Sequence, residues 1–142
     1  LKKYKINSEI WSVTSFNLLR KDGMEAERYN QLNPHKEKHL THIDRCFESH
    51  DIPVIATTDY MRAYAEQIRP YIYSSYSVLG TDGFGRSDSR EELREFFEIN
   101  TNHIVRLTAF TLHQESSISK KQLDAIYKDL NVDPAKPNPW EV

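Results

Sequence analysis

The sequence predicts an α/β fold, a three-layer α/β/α arrangement around a mostly parallel sheet, and three observations carry that reading. Short apolar runs rich in β-branched and aromatic residues, Ile10–Val13, Val54–Ala56 and Tyr76–Leu79, have the composition and length of buried strands. Each gives way, across a polar connection, to a segment with apolar residues at helical spacing. Such alternation favours parallel strands with helices packed on their faces. The 142 residues also suffice to bury a core within one domain, residues 1–142, and no linker or internal repeat divides them.

In chain order, Leu1–Ile6 has the look of a last helical turn leading into a strand, and Ile10–Val13 is the first strand candidate. Ser15 is placed to cap a helix bearing Leu18, Leu19, Ala26, Tyr29 and Leu32. Gly23 within it costs about 1 kcal/mol against alanine and marks a possible break. Asn33-Pro34 ends it, because a residue before proline avoids the α region. Leu40, Ile43, Cys46 and Phe47 make a brief amphipathic turn or helix. Pro53 introduces the second strand, Val54–Ala56. Thr58 or Asp59 then caps a helix carrying Tyr60, Met61, Tyr64, Ala65 and Ile68, stopped by Pro70.

Tyr71–Tyr73 leads into the third strand, ending at Leu79. Leu93, Phe96 and Phe97 mark the next helix. Thr101 or Asn102 begins another, whose Ile104, Val105, Leu107, Ala109, Phe110 and Leu112 cover a wide face expected to be buried. The last helix carries the fullest signals: Ser119 and Gln122 form a capping box, Ile118 and Leu123 a hydrophobic staple. Leu123, Ile126, Tyr127 and Leu130 then fall on one stripe. Pro134 to Pro139 reads as an irregular tail.

Several function classes are disfavoured. A net charge of −2 without a basic stripe argues against nucleic acid as a partner. No apolar run approaches the ~18 residues that span a bilayer. The single cysteine, Cys46, allows no internal disulfide, reads as a small buried hydrophobe, and fits a reducing, cytoplasmic setting. His35, His39 and His42 fall at i, i+4 and i+7, a spacing that zinc sites use, but Pro34 and the charged neighbours Lys36, Glu37 and Lys38 favour a solvated turn. Asp51 with Asp59, or Asp82 with Asp88, can be read as acid–base pairs or as caps and turns. His103 and His113 flank a helix expected to be buried, where a hydrogen-bonded structural histidine is commoner than a catalytic one. No serine stands in a G-x-S-x-G elbow. The residues alone point to no autonomous active site, and neither a catalytic residue nor a metal ligand is assigned.

One stretch resists both a core and a surface reading: Gly80-Thr81-Asp82-Gly83-Phe84-Gly85-Arg86-Ser87-Asp88-Ser89-Arg90. It joins a strand to a helix and holds three of the chain's four glycines. Glycine allows positive φ and close backbone approach, which structural turns and ligand clefts both use. Ser89 and Glu92 have capping-box spacing, which starts a helix and aims free N–H groups at the loop. In α/β sheets such loops, at the carboxyl ends of strands, are where ligands and neighbours meet. The glycines run G-x-x-G-x-G without Gly-Lys-Ser/Thr, so a nucleotide loop is disfavoured. Gly80, Asp82, Gly83, Gly85, Arg86, Ser87, Asp88, Ser89 and Arg90 are therefore the interface or anion-site candidates. Arg86 and Arg90, near a helix start, can hold an anion, or pair with Asp82, Asp88 or a partner chain.

Taken together, Trp11-Ser12-Val13-Thr14-Ser15-Phe16, Glu27-Arg28-Tyr29-Asn30, Thr58-Asp59-Tyr60-Met61, Ala65-Glu66-Gln67-Ile68-Arg69 and the whole Gly80–Arg90 string resemble one family. It is the carboxy-terminal domain of the homodimeric, bacterial-type pyruvate dehydrogenases, transketolase-like enzymes that depend on thiamine diphosphate. The resemblance runs from about Ser8 to Pro139.

The resemblance implies a first component that decarboxylates pyruvate and passes acetyl to lipoamide of a lipoyl-bearing acetyltransferase component. It implies thiamine diphosphate and magnesium held between two preceding domains, across a homodimer. The family's Gly-Asp-Gly motif with its following asparagines is not matched here. Lys21-Asp22-Gly23 and Thr81-Asp82-Gly83 lack the leading glycine, and the family spacing from Asp82 reaches Thr108–Leu112 without an asparagine pair. No cofactor is therefore expected on this chain. The family domain also starts with a further strand and helix, so the chain is expected to be truncated at its amino-terminal end. The expectation is a domain silent by itself that supports the dimer and the active-site wall through Gly80–Arg90. A small-anion-binding regulatory module is the alternative.

Overall fold

The computed structural model describes residues 1–47 and 51–141. Its centre is a two-stranded parallel sheet, β1 (Val54–Thr57) beside β2 (Tyr76–Leu79), in the register Val54 to Tyr76 through Thr57 to Leu79. The described residues thus form an α/β structure with helices around a small parallel sheet.

Helix α1 (Phe16–Leu32) starts where Ser15 Oγ accepts from the Leu18 N–H at 3.2 Å. It runs unbroken through Gly23, which is buried. A Cβ there would lie 2.5 Å from the Tyr71 ring, so the absent side chain is what lets that ring in. Asn30 accepts from the His39 N–H at 2.8 Å and donates to its carbonyl at 3.1 Å, folding the chain back along α1. The short α2 (His42–Cys46) begins with a Thr41–Asp44 capping box. Asp22 joins it to α1 by accepting from the His42 N–H at 2.6 Å.

Past β1 come α3 (Arg62–Glu66) and a 3-10 turn, Arg69–Tyr71. Phe16, Ile43, Ala65, Ile68, Tyr71, Ile72, Tyr76 and Val78 from these elements form the larger core, with Leu19, Phe47, Val54, Ala56 and Tyr64 around it. The buried Tyr76 hydroxyl donates to the Ala65 carbonyl at 2.8 Å, so its one polar atom is satisfied.

Helices α4 (Arg90–Phe96), α5 (Thr101–Gln114) and α6 (Lys120–Asp129) complete the chain. Val105, Ala109 and Ile126 make a second, smaller core between α5 and α6, joined by Leu123, Leu130, Ile118 and the opening residues Leu1, Tyr4 and Ile6. Lys3 reaches Asp129 at 2.5 Å, and the Tyr4 hydroxyl donates to the same carboxylate.

Four expectations need correction. Ile10–Val13 is not a strand; Ile10 is 93% and Trp11 51% exposed. A run becomes a strand only where it lies along an edge it can bond to, and Ile10–Val13 is paired with neither outer edge of the β1–β2 sheet; Trp11 instead packs edge-on against Phe47, centroids 5.8 Å apart. Neither Thr58 nor Asp59 caps α3, whose N-cap is Met61. The Thr58 hydroxyl serves the Tyr60 N–H and the Asp59 carboxylate serves Arg94. The face of α5 is buried only in part: Val105 and Ala109 are covered, whereas Phe110 is 44% exposed. Leu1–Ile6 is one 3-10 turn, Lys2–Tyr4, leading to no strand. The Ser119–Gln122 capping box, the α1 stop at Asn33, the α6 stripe and the irregular tail stand as read, whereas at Ser89 only the half of the box in which its side chain accepts from the Glu92 N–H is present.

Candidate functional site

The carboxyl ends of β1 and β2 lie side by side, and the glycine-rich loop and the segment after β1 both leave from them. Beyond β2, Gly80 is buried. A Cβ there would sit 2.7 Å from the Tyr60 carbonyl and 2.8 Å from the Arg62 nitrogen, so the segment after β1 can cross it only because it is glycine. The Thr81 N–H donates to that same Tyr60 carbonyl at 2.9 Å. Asp82 accepts from the Arg62 N–H at 2.9 Å, a donor that the start of α3 leaves free, and its other oxygen lies 3.9 Å from the Arg62 guanidinium. The two strand-to-helix connections are thereby laced together.

From Gly83 to Arg90 the loop is exposed. Gly83 has φ +106°, a conformation that favours glycine, and packs against Trp140 from the end of the chain. Phe84 projects with 89% of its surface in solvent. A Cβ on Gly85 would meet nothing within 4 Å, so no packing requires glycine there. The Arg86 guanidinium stacks over the Phe96 ring at 4.0 Å, a cation–π contact inside the chain. Ser87 is exposed. Asp88 accepts from the Ser89 N–H at 2.7 Å, and Ser89 caps α4 by accepting from Glu92 at 3.2 Å, leaving Arg90 exposed as the first helical residue. The nine candidates therefore divide. Gly80 and Asp82 belong to the packed root of the loop; Gly83, Gly85, Arg86, Ser87, Asp88, Ser89 and Arg90 form its outer arm.

Beside the root is an open cleft of about 600 Å³, lined by Thr57, Thr58, Asp59, Arg94, Asn100 and Ile104. Asp59 and Arg94 face each other in a two-point pair, Nε to Oδ1 at 3.2 Å and Nη2 to Oδ2 at 2.6 Å. The hydrogen bonds that Arg94 donates to Asp59, and the negative charge of that carboxylate, raise the arginine's pKa above its ordinary value. Sequence reading had offered Asp59 as a cap or an acid and had not singled out Arg94. Pairing of residues 35 apart in the chain leaves no local spacing signal.

Behind the cleft sits a partly buried ionic cluster. Glu98 receives Arg106 at 2.6 Å and has Lys136 at 3.7 Å. Burial pushes the Glu98 carboxyl up, but the Arg106 hydrogen bond and the charges of Arg106, His103 and Lys136 outweigh it and hold the group below the usual range. His103 is buried, its Nδ1 2.7 Å from Asn100 Oδ1. Burial lowers its pKa, against the pull of Glu98 and Glu95.

The other candidates do not converge. His35 is in a turn, His39 packs edge-on against Tyr29, and His42 opens α2 with Nε2 3.4 Å from Cys46 Sγ. Among the described residues no group of three or more His, Cys, Asp or Glu is placed to hold a metal ion. Asp51 precedes β1 and Asp59 follows it, and Asp88 serves its own helix start. His113 Nδ1 lies 3.1 Å from the Ile118 carbonyl, at the turn into α6. Also among the described residues, no helix is long and apolar enough to cross a membrane.

Among the described residues, the charges around the cleft are paired with one another, Asp59 with Arg94 and Glu98 with Arg106. Residues 1–100 match the family model described as the transketolase-like TK C-terminal domain. The chain is similar to the pyruvate dehydrogenase E1 component of Cupriavidus necator, 43% identical over 141 residues that make up 99% of this chain and 16% of the relative. It is 44% identical over 139 residues to that of Pseudomonas aeruginosa, covering 97% and 16%. Against that of Escherichia coli K12 it is 44% identical over 140 residues, covering 97% and 15%. The chain thus spans about a sixth of the length of the curated relatives it matches.

Proposed function

The chain belongs to the transketolase-like C-terminal domain family, and from that membership we propose that it serves as the carboxy-terminal domain of a pyruvate dehydrogenase first component. The observation that carries the proposal is the similarity of nearly the whole chain, at 43–44% identity, to proteins of that name. Such an enzyme, cytoplasmic and homodimeric, decarboxylates pyruvate with thiamine diphosphate and hands acetyl to lipoamide of the acetyltransferase component. Residues 1–142 act in it as one domain against the preceding ones.

The cofactor does not fit this chain's own residues. Magnesium needs several oxygen ligands at short range. Asp22 is occupied by the His42 N–H, Gly23 is buried under Tyr71, and Asp82 is committed to Arg62. No step of the reaction is assigned to this domain, and other domains are taken to bind the cofactor.

The role left is support. The outer arm of Gly80–Arg90 carries an exposed aromatic, Phe84, and an exposed cation, Arg90, the kind of anchors that dominate protein interfaces. In the complete enzyme this arm meets the partner subunit or the wall of the active-site entrance. Within the complete enzyme the domain takes the three-layer α/β/α form around its parallel sheet. The anion-module alternative has less in its favour, since Arg86 already covers Phe96.

The test is made in the full-length enzyme. Phe84→Ala, Arg86→Ala and Arg90→Ala should weaken dimerisation or acetyl transfer, by about tenfold where an anchor is lost. Sedimentation and lipoamide acetylation read the two. Normal values in all three variants would defeat the support role. Mixing this chain with the remaining domains, thiamine diphosphate and magnesium should restore pyruvate decarboxylation that neither part shows alone.

A further inference from the structure

Residues 133–141, which read as an irregular tail, do not hang free. After α6 the chain turns at Asp133, whose Oδ1 accepts from the Ala135 N–H at 2.8 Å. That turn delivers Lys136 to the carboxyl end of α4. Its Nζ donates to the Glu95 carbonyl at 2.9 Å and lies 3.5 Å from the Glu95 carboxylate and 3.7 Å from that of Glu98. A cation there adds a second donor to a terminal carbonyl that the Glu98 N–H reaches at 3.3 Å, and meets the negative end of the helix dipole. Four residues on, Trp140 reaches the other end of the same loop–helix unit. A Cβ on Gly83 would meet Trp140 Cα at 3.3 Å, Trp140 Cβ at 3.5 Å and the Pro139 carbonyl at 3.7 Å. The Trp140 ring lies under the Arg62 guanidinium, 6.0 Å from its centroid, and Arg62 is the residue whose N–H holds Asp82.

We infer that segment 133–141 is a strap that sets the shape of the Gly80–Arg90 loop. Lys136 clips the far end of α4 and the Pro139–Trp140 backbone latches onto Gly83. The loop and α4 are gripped at both ends by one segment, so the exposed arm between them has fewer conformations to lose on meeting a neighbour. Gly83 then has a double reason to be glycine: its φ of +106° and the backbone lying against it. The strap concerns the loop's shape and holds whether or not the loop touches a partner subunit.

Amide hydrogen exchange in the full-length protein tests it. Deleting residues 135–142 should speed exchange across 81–89 by about tenfold or more, since loop openings are local events with their own small free energies. Exchange within α6 should stay unchanged. Lys136→Met, which keeps the aliphatic stem and loses the clip, should speed exchange in the same segment by a smaller factor and cannot be blamed on a missing tail. Lys121→Met on the exposed side of α6 should do nothing. Unchanged loop exchange in Lys136→Met and in the truncated protein would overturn the strap. Faster loop exchange with an undisturbed dimer would leave the strap standing and count only against the loop as a dimer contact.

Discussion

The two cores are built by opposite means. The smaller is made by neighbours: α5 and α6 follow each other in sequence, meet through Val105, Ala109 and Ile126, and are closed by a hook from the first six residues. The larger joins residues from Phe16 to Val78 and depends on aromatic rings entering gaps that other residues leave. Tyr71 fills the space above Gly23, and Tyr76 spans from β2 to the Ala65 carbonyl. A helical pair tolerates loss at one point, because its stripe repeats. Rings wedged between elements concentrate the same stabilisation in a few sites. The polar rim sits on the larger core, so the loop's position inherits that sensitivity.

Breaking the comparison at its strongest point means removing a wedge. Tyr71→Ala should destabilise the chain by about 3–5 kcal/mol, since the cavity lies between elements that cannot close over it. Urea denaturation followed by circular dichroism gives the value. In the smaller core Ile126→Ala should cost about 2–3 kcal/mol. Its faster hydrogen exchange should be confined to α5, α6 and the hook, with β1 and β2 unaffected; uniform loosening would mean the cores are one unit. Gly23→Ala reverses an ordinary rule. In an open helix alanine would gain about 1 kcal/mol, but here the methyl lands 2.5 Å from a buried ring and should cost about 1–3 kcal/mol instead. A stabilised variant would show that Tyr71 can move aside. Ser119→Ala removes one cap from α6 and should cost about 1 kcal/mol, again read in urea.

The smallest effect is one of pH and belongs to the ionic cluster between the cores. His103 and Glu98 both have folded-state pKa values below their ordinary 6.5 and 4.5. Each therefore binds protons less readily when folded than when unfolded. Acid favours the unfolded chain, so their contribution is complete above the ordinary values and is lost as pH falls through the folded ones, His103 first. His103→Asn, which keeps a donor near Asn100, should flatten the fall in urea midpoint between about pH 7.5 and about pH 5.5. The segment around Glu98 should still weaken at lower pH. An unaltered profile would remove His103 from the account.

Reading the residues in order found most helices, and for a physical reason. Caps and stops are local: Ser15 and Leu18, Ser119 and Gln122, and Asn33 before Pro34 act within one turn, so their spacing is their mechanism. The strand Val54–Ala56 and the run ending at Leu79 were legible because both are short, apolar and bounded. Ile10–Val13 has the same composition and failed, because composition prepares a strand but a neighbouring edge makes one. The glycine-rich loop was likewise visible as an anomaly. Its division into a packed root and an open arm was not, since Gly80 and Gly85 look alike in a string and differ only in what lies beside them.

By itself, then, the sequence determined where most helices begin and end and which loop is out of the ordinary, since these depend on residues within a turn or two. Only the tertiary structure decided that Asp59 meets Arg94, that Tyr71 occupies the gap at Gly23, and that Trp140 lies across Gly83. Those pairings join residues tens of positions apart, and chain packing, rather than any local preference, brings them within reach.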